Sequence, residues 1–249
     1  MYNSIIKEMI TADEPCSYLE NHTQRMHYKL IDDCTTDLSQ ALIERGWRRF
    51  GRMFFRPVCQ ECSKCRSLRI DAVNYQYSRS EKRIIKKNRD TEVYISRPRI
   101  TNEHIMLHRK YHKFKQTKSG WNHEDITQQN YYMTFVQGAG EFAYEVTYVQ
   151  DGKLIGVDLI DILEDGISAI YFFYDPDFAH LSLGTFSLLK EIQIANMYDL
   201  RWIYLGYYVA ENTSLNYKAR YQPLEELQGD PQLFDKAIWN KFVPGETSF

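Results

Sequence analysis

The residues with the clearest potential for chemistry are three cysteines at three-residue spacing in the stretch PVCQECSKCRSLR. Cys59, Cys62 and Cys65 have the spacing of a loop that binds zinc or an iron–sulfur cluster, and Cys16 could supply a fourth thiolate. A loop of reduced thiols without a metal is the alternative interpretation. The remaining cysteine, Cys34, lies in no motif and is typical of a small buried apolar residue.

Length and composition restrict the class of protein. The chain has 249 residues, of which 43% are hydrophobic, which is enough for one large domain or two modest ones. Its start lacks the apolar run and cleavage site of a secretory signal peptide, and no stretch approaches the roughly 18 apolar residues of a membrane span. The odd number of cysteines favours reduced thiols. We therefore expect a cytoplasmic protein without membrane contact.

Charge is distributed unevenly along the chain, although the net charge is only −2. The segment from Arg45 to Lys118 contains 21 lysines and arginines but 6 aspartates and glutamates, whereas the remainder contains 10 and 27. Aromatic residues alternate with arginines in RGWRRFGRMFFRP, which suits contact with a nucleic acid. The acidic remainder favours docking of one polyanion in one orientation over coating of DNA. A solvated cationic surface is the alternative.

Hydrophobic periodicity predicts an α+β fold. Helices are expected at TDLSQALIERGW, SRSEKRIIKKNRD, ITNEHIMLHRKYHKFKQ and SLGTFSLLKEIQIANMYD, the second opened by a capping box from Ser78 to Glu81. Strands are expected at EFAYEVTYVQ, KLIGVDLIDIL, ISAIYFFYD and WIYLGYYV. Three strands, a helix and a strand predict a largely antiparallel sheet with one crossover. The shift in composition predicts a Cys- and Arg-rich domain over 1–70 and a larger domain over 71–249.

The connection DPDFAHLSLGTF leads from the third of these strands into a helix that contains Gly184. Amide groups at a helix start can bind an anion, especially beside a glycine. In GNAT acyltransferases the corresponding loop has the pattern (Arg/Gln)-x-x-Gly-x-(Gly/Ala) and binds the pyrophosphate of coenzyme A. Here His180 replaces the cation and Phe186 the second small residue, so the coenzyme A loop is incomplete. A tight turn is the alternative role for the glycine.

Seven motifs occur in order along the chain: PCSYL, FRP-x-C-x-x-C-x-x-C-x-x-x-R, SRS-x-x-R, DG-x-SA-x-Y-x-F-x-DPD, SLGTF, YLGY and NYK-x-x-Y-x-P-x-E. Together they resemble the arginyl-tRNA–protein transferase family, and in particular its bacterial, leucine-transferring branch. The resemblance implies a GNAT-like sheet that works without coenzyme A. It also implies leucyl-tRNA as donor and, as acceptors, proteins with an N-terminal Asp or Glu that are then marked for degradation. Relatives bind zinc or an iron–sulfur cluster on their cysteines, but transfer itself needs no cofactor.

An aminoacyl ester is already activated, so the enzyme mainly has to position the acceptor amine and stabilise the oxyanion. We expect the catalytic groups at the strand ends. Asp175 or Asp177 would orient the amine or accept its proton, and the hydroxyl of Tyr207 or Tyr208 would donate to the oxyanion. A turn and core packing are the alternative roles of these residues. The resemblance further indicates a substrate-binding set that comprises Arg79, Arg83, Asn88, Gly184, Thr185, Lys218 and Arg220.

Three other functions stay open on the sequence. The first is arginyl transfer from arginyl-tRNA by the same mechanism, which would need a carboxylate where leucine needs an apolar slot. The aromatic strand ends IYFFYD and WIYLGYY can supply that slot, while the acidic C-terminal part can supply carboxylates. The second is a coenzyme A-dependent acetyltransferase of the GNAT type. The third is a non-enzymatic RNA-binding protein with a zinc knuckle.

Overall fold

The N-terminal part of the chain folds around a small antiparallel sheet. A computed structural model describes residues 5–120 and 125–245. Four strands pair in the order β1-β4-β6-β5: β1 (Ile5–Ile10), β4 (Met26–Ile31), β6 (Met53–Pro57) and β5 (Arg48–Phe50). Between β1 and β4 lies a short pair, β2 (Glu14–Pro15) with β3 (Thr23–Gln24). Helix α1 (Thr36–Ile43) follows β4 and is capped by the Thr35 side chain.

A larger, eight-stranded sheet forms the rest of the protein, in the order β14-β13-β7-β12-β11-β10-β9-β8. All its neighbouring strands are antiparallel except β11 and β12. In chain order its strands are β7 (Arg66–Asp71), β8 (Glu92–Ser96), β9 (Ala143–Gln150), β10 (Lys153–Ile162), β11 (Gly166–Tyr174), β12 (Trp202–Tyr208), β13 (Leu224–Leu227) and β14 (Trp239–Lys241). The predicted α+β class with a largely antiparallel sheet and one crossover is confirmed.

Helices cover both faces of this sheet. One face packs against α5 (Leu183–Met197), which also contacts α2 (Arg79–Lys87), and the other packs against α3 (Asn102–Ser119). The predicted capping box of α2 is present, with Ser78 and Glu81 each bonding the other's backbone N–H. The remaining helical segments are α4 (Gln128–Tyr131), a π-helical turn (Tyr132–Val136) and two 3-10 helices (Pro176–Leu181 and Asn216–Arg220). Among the described helices, none is both long and apolar enough to cross a membrane.

Strand β7 connects the two parts of the protein. We predicted a domain boundary at residue 70, yet β7 lies inside the larger sheet, between β12 and β13. Its backbone therefore contributes to the sheet that we assigned to residues 71–249. The strands of the N-terminal sheet and β8, β13 and β14 were not predicted. The boundary itself stays a prediction, because β7 only shows that the two parts share a strand.

Many cations of the segment from Arg45 to Lys118 form internal ion pairs with acidic residues of the remaining chain. Arg49 is buried and bonds both oxygens of the buried Asp161 at 2.5 and 2.9 Å. Arg69 bonds Glu225 at 2.7 Å, and other basic residues of the segment pair in the same way. The charge asymmetry therefore partly reflects how the chain folds onto itself. Helix α2 differs, because its basic side chains are exposed: Arg79, Lys82, Arg83, Lys86 and Lys87.

The parallel pair of strands separates soon after it forms. β11 and β12 are in register only from Gly166 opposite Trp202 to Ser168 opposite Tyr204, although both strands continue. A register shift beyond Tyr204 marks a bulge in β12, and Gly206 follows it with φ of +71°. A Cβ atom at this glycine would lie 2.7 Å from Nε of Arg48. Only glycine fits both the backbone angle and the space, and a gap opens between the two strands.

Candidate functional site

A cavity of about 860 Å³ lies where β11 and β12 separate. Its walls come from both strands, from the start of α5, from the 3-10 helix Asn216–Arg220 and from the N-terminal part of the chain around Tyr18 and Arg48. Tyr111 and Lys115 of α3 line it as well, so helices from both faces of the sheet contribute to its wall. It contains four residues of the predicted substrate-binding set and one of the predicted catalytic set, which are Gly184, Thr185, Lys218, Arg220 and Tyr207.

Arg48 holds the two strands apart at the inner end of the cavity. Its guanidinium donates to Ser168 Oγ at 3.1 Å, to the Tyr204 carbonyl at 3.4 Å and to the Ala169 carbonyl. These carbonyls lie where β11 and β12 stop pairing with each other. Arg48 therefore donates hydrogen bonds to backbone oxygens that the gap leaves without a strand partner. Burial lowers the pKa of this guanidinium. An N-terminal side chain thus forms part of a site in the C-terminal sheet.

Two basic residues of the second 3-10 helix reach the cavity. The buried Lys218 donates from Nζ to the Tyr207 carbonyl at 2.6 Å. Burial, together with the charge of Arg48, lowers the pKa of Lys218 to about 7. Arg220 donates to Thr185 Oγ1 at 3.0 Å and to the Tyr221 hydroxyl at 2.6 Å, which places a guanidinium beside the first turn of α5.

The start of α5 faces the same cavity. Ser182, in the left-handed region with φ of 56°, makes the turn into the helix, and no side chain caps it. A Cβ atom at Gly184 would meet nothing within 4 Å, so the tight turn that we considered there lies at Ser182 instead. The lack of a side chain at Gly184 leaves the first turn of the helix open to the cavity. This geometry suits an anionic ligand held by backbone N–H groups and Arg220.

A buried pair of acids lies at the α5 side of the cavity. Asp158 of β10 and Glu191 of α5 are 1% and 3% exposed, and both line the cavity. Burial raises the pKa of Asp158 to about 7, while the hydrogen bond from Glu191 lowers it. Burial and the negative charge of Asp158 raise the pKa of Glu191 well above its usual value. Sequence reasoning missed this pair, although acids within the apolar runs IGVDLIDI and LLKEIQIA were a usable signal.

Asp175 and Asp177 lie outside the cavity lining. The buried Asp175 accepts from the Asp177 N–H at 3.0 Å and pairs with Lys110 at 2.5 Å and Lys153 at 2.7 Å. Burial opposes ionisation of Asp175, but the bonds from both lysines hold its pKa below its usual value. Asp177 is exposed and shares Lys110. The geometry favours the structural alternative for both residues, the cap of a 3-10 helix.

The two predicted catalytic tyrosines are buried and differ in their contacts. Tyr207 lines the cavity, but its hydroxyl donates to the carbonyls of Gly46 at 3.0 Å and Phe55 at 3.2 Å. That hydroxyl ties β12 to the N-terminal part of the chain. Tyr208 packs in the core beside the ring of Phe242 and does not line the cavity. Core packing and tethering account for both side chains in this structure.

The remaining predicted substrate-binding residues lie on α2. Arg79 and Arg83 are exposed and outside the cavity. The buried Asn88 donates from Nδ2 to the carbonyls of Ile84 and Leu181, each at 2.9 Å. Because Leu181 directly precedes the turn into α5, Asn88 fixes α2 against the start of that helix. Its side chain positions the cavity wall and does not itself line the cavity.

The four motif cysteines lie close together beside the cavity. Burial and the charges of Cys16, Cys59 and Cys62 raise the pKa of the Cys65 thiol to about 12. The N–H of Tyr18 donates to Cys16 Sγ and that of Arg25 to Cys59 Sγ, both at 3.4 Å, as sulfur ligands of metals often require. The donor set suits zinc or an iron–sulfur cluster.

The side chains of the cysteine cluster are nevertheless not arranged as a closed metal site. Within residues 5–120 and 125–245, no group of three or more His, Cys, Asp and Glu side chains is placed to hold a metal ion. The role of Cys16, Cys59, Cys62 and Cys65 as ligands stays a prediction. Cys34 is half-buried among apolar residues, and burial raises its pKa to about 12, in keeping with a packing role.

Comparison with known proteins assigns the chain to a family. Residues 14–83 match the family described as "Arginine-tRNA-protein transferase, N terminus", and residues 103–228 match "Arginine-tRNA-protein transferase, C terminus". A Campylobacter jejuni protein named aspartate/glutamate leucyltransferase is 49% identical over 93% of this chain and 97% of its own length. A Helicobacter hepaticus protein of the same name is 39% identical over 94% and 98%.

Similarity to solved structures is weaker. The structure of L-PGS from Bacillus licheniformis is 12% identical, with a TM-score of 0.42 over 60% of this chain and 46% of that chain. The sequence matches are much stronger and span nearly the whole length of both relatives. They confirm the resemblance that seven short motifs indicated, and the chain belongs to the arginine-tRNA–protein transferase family.

Proposed function

We propose that this enzyme transfers leucine from leucyl-tRNA to the N-terminal Asp or Glu of acceptor proteins. The observation that carries the proposal is the match, over nearly the whole chain, to relatives named aspartate/glutamate leucyltransferase. The cavity supports it, because it combines an anion-binding helix start with a buried interior lined by apolar and aromatic side chains such as Phe172, Leu188 and Leu205. Leucine needs an apolar slot of this kind.

The donor would enter from the α5 side of the sheet. The phosphate of the tRNA's 3′-terminal nucleotide would meet the open first turn of α5, at Gly184 and Thr185, and the guanidinium of Arg220. The esterified amino acid would then extend into the gap between β11 and β12. Arg220 lies beside Thr185, so its guanidinium needs little reorganisation to bind a phosphate at the start of α5.

Helix α2 would bind the tRNA further from its 3′ end. Its lysines and arginines form an exposed group within the basic segment, whereas many other cations of the segment form internal ion pairs. Asn88 holds α2 against the turn that precedes α5, and Glu81 lies close enough to Arg220 to act on it electrostatically. A backbone bound along α2 would therefore lead to the cavity entrance.

The transfer step needs one proton movement. The neutral α-amine of the acceptor attacks the ester carbonyl carbon, a C–N bond forms, and the bond from that carbon to the ribose oxygen breaks. One proton passes from the amine nitrogen to the ribose oxygen. A lysine with a pKa of about 7 exists in both protonation states near neutral pH, so Lys218 would accept this proton and return it to the leaving group.

The acceptor would reach the gap from the face covered by α3. Lys115 of α3 lines the cavity on that side and is half-buried. A carboxylate at the first residue of the acceptor requires a cation in its pocket, and Lys115 would provide it. An acceptor that begins with an uncharged isostere offers no carboxylate to this cation. The site would therefore discriminate effectively against such an acceptor.

Two further roles are part of the proposal. An N-terminal leucine would mark the product for degradation, and both tRNA and acceptors would be met in the cytoplasm. The cysteine cluster would bind zinc or an iron–sulfur cluster, which would stabilise the segment around Ser17 and Tyr18 at the cavity wall. Elemental analysis of anaerobically purified protein and of a Cys62→Ser variant tests this: about one zinc or a cluster's iron per chain is expected in the former only.

A competition assay tests the donor and the acceptor together. Leucyl-, arginyl- and phenylalanyl-tRNA are offered with peptides that begin with Asp, Glu, Lys or Ala. We expect leucine on the Asp and Glu peptides, with tolerance for related apolar donors because an apolar slot discriminates by only about 1–3 kcal/mol per methylene. Preferential arginine transfer, or leucine on the Lys peptide in place of the Asp peptide, would overturn the proposal.

A matched pair of variants connects the assay to the cavity. Arg220→Ala removes the guanidinium beside α5 and should raise KM for leucyl-tRNA about tenfold, the effect of losing one charge-assisted hydrogen bond. Lys236→Ala removes an exposed charge outside the cavity lining and should leave KM unchanged.

A further inference from the structure

We propose that Asp158 and Glu191 recognise the free α-ammonium group of the donor amino acid, so that the enzyme selects aminoacyl-tRNAs whose amine is not blocked. The inference rests on the proposed function, because it takes the cavity as the donor site. It adds a specificity that leucine's side chain cannot provide. Apart from the ester, the α-ammonium is the polar part of the leucyl group, and the two carboxyl groups would bind it.

The position of the pair matches a donor that enters along α5. Glu191 lies seven positions after Gly184 on the same helix, a separation of about 10 Å along the helix axis. The phosphate of a 3′-terminal nucleotide and the nitrogen of its aminoacyl group are separated by roughly eight covalent bonds, or about 10 Å when extended. A phosphate at the start of α5 would therefore place the donor nitrogen within reach of Glu191 and Asp158.

The pair has hydrogen-bonding capacity that the protein leaves unused. Oδ2 of Asp158 and Oε2 of Glu191 are buried and accept no hydrogen bond from the residues that the structure describes. The hydroxyl of Tyr148, which the two acids influence electrostatically, is likewise buried and unbonded there. Buried polar atoms without partners are costly, and Asp158 and Glu191 line the cavity, so the pair indicates a ligand with several donors. An ammonium group provides three.

The charge of the cluster fits a single small cation. Two buried carboxyl groups in contact retain a proton between them, and a cation placed beside them favours their ionised form. The leucyl group carries one cation only, its α-ammonium. Arg48 influences Glu191 electrostatically but donates its hydrogen bonds to Ser168 and to strand carbonyls, so it does not occupy this role.

A structural explanation for the pair is weaker. An acid pair kept only for packing would close its hydrogen bonds within the protein, as Asp161 does with Arg49 and Asp175 does with two lysines. Apolar residues of similar volume would stabilise the same position at least as well. Asp158 and Glu191 line the cavity, and neither forms an ion pair with a cation of the residues that the structure describes.

The test compares leucyl-tRNA with two esters that lack a free amine. One is tRNA carrying 2-hydroxyisocaproic acid, in which a hydroxyl replaces the amine, and the other is N-acetyl-leucyl-tRNA. Both kcat/KM in transfer and equilibrium binding to the protein are measured. Wild-type enzyme should prefer leucyl-tRNA over both by at least about 100-fold, as sites that bind a polar group reject analogues that lack it. Equal use and equal binding of the three esters would overturn the inference.

Isosteric variants assign the preference to the pair. Asp158→Asn and Glu191→Gln should reduce the preference below about tenfold, mainly through KM for leucyl-tRNA, while the hydroxy ester is used as before. Glu226→Gln, an equally buried acid outside the cavity lining, should keep the wild-type preference. Wild-type discrimination in both cavity variants would refute the assignment, and thermal unfolding verifies that each variant is folded.

The design separates this inference from the proposed function. If arginyl-tRNA proves to be the donor, the proposed function fails, and the same comparison is then made with arginyl-tRNA and its deaminated analogue. The ligand comparison on unmodified protein decides the inference in either case, without relying on a variant.

Discussion

At the scale of residues, the cavity brings together ionisable groups of opposite sign whose pKa values are shifted towards each other. Burial disfavours any charged form, so it raises the pKa of Asp158 to about 7 and, with Arg48 nearby, lowers that of Lys218 to about 7. Groups with pKa values near the working pH can exchange protons in both directions. The site thus obtains acid–base groups from desolvation, without a metal or an activated nucleophile in the proposed step.

Lys218→Arg should separate charge from proton transfer. Arginine keeps the positive charge but cannot lose a proton near neutral pH, so single-turnover transfer should fall by about 10²–10⁴-fold while leucyl-tRNA binding changes little. In wild-type enzyme the rate should rise with pH and level off only above about pH 8, because Lys218, with a pKa of about 7, and the acceptor α-amine, with an unperturbed pKa of about 8, would both have to be neutral. An unchanged rate in the variant would exclude the proton-transfer role.

Asp158→Asn should change how stability depends on pH. In wild-type protein the raised pKa of Asp158 means that the folded state binds a proton that the unfolded state has lost between about pH 4 and 7. Stability from this group is therefore present below pH 4 and declines as pH rises to about 7, by up to about 1.4 kcal/mol per unit. Denaturant unfolding of both proteins at several pH values should show the variant gaining relative stability across this window; parallel curves would contradict it.

Asp175→Asn should affect folding and not transfer. The substitution removes the charge that bonds Lys110 and Lys153 at the end of β11, so we expect a loss of about 1–3 kcal/mol in the free energy of unfolding. Transfer per folded molecule should stay near wild type, because Asp175 does not line the cavity. A loss of 100-fold or more in single-turnover rate with unchanged stability would restore the catalytic role predicted from the sequence.

At the scale of elements, α2 and α5 would divide the binding of tRNA between them in the proposed function. The start of α5 would receive the 3′ end in a cavity, whereas α2 offers an exposed row of cations whose effect should depend on salt. Their relative position is fixed by Asn88, a side chain that bonds the backbone of both segments. Helix α2 contributes no residue to the cavity lining, yet in this proposal it would still orient the tRNA.

Charge reversal on α2 tests this division. Arg83→Glu combined with Lys86→Glu should weaken tRNA binding and reduce the slope of log affinity against log salt by about one for each phosphate that the helix no longer neutralises. Lys236→Glu with Lys241→Glu is the matched control, since both lysines are exposed in the C-terminal segment that leads into the edge strand β14. Identical salt slopes in the two double variants would show that α2 is not the docking surface.

At the scale of the whole molecule, the structure shows which features the sequence could predict. The capping box at Ser78 and the helix that begins within SLGTF are local signals, and both are present. Gly184, Thr185, Lys218 and Arg220 line one cavity, as expected of a set identified by motifs. Asp175 lies outside the cavity lining and its catalytic role stays a prediction, because a buried capping carboxylate and a catalytic one have the same sequence pattern.

Other parts of the site depend on contacts between distant segments. Asp158 and Glu191 meet only because α5 packs against the sheet that contains β10, and Arg48 reaches Ala169 from a strand of another sheet. No local sequence pattern indicates such contacts between distant segments. The charge asymmetry likewise has two origins that the sequence does not separate, since arginines such as Arg49 and Arg69 bond acids far along the chain while the cations of α2 are exposed. Long-range pairing is what a single sequence leaves undetermined.

The shared strand β7 has a consequence for how this protein can be inherited or engineered. Removing residues 1–70 would delete an inner strand of the larger sheet and the arginine that holds its gap open, while keeping those residues alone would leave β7 without either neighbour. Neither half can be exchanged as a cassette. The cysteine-bearing segment and the cavity therefore have to be kept together in any engineered or recombined form of the chain.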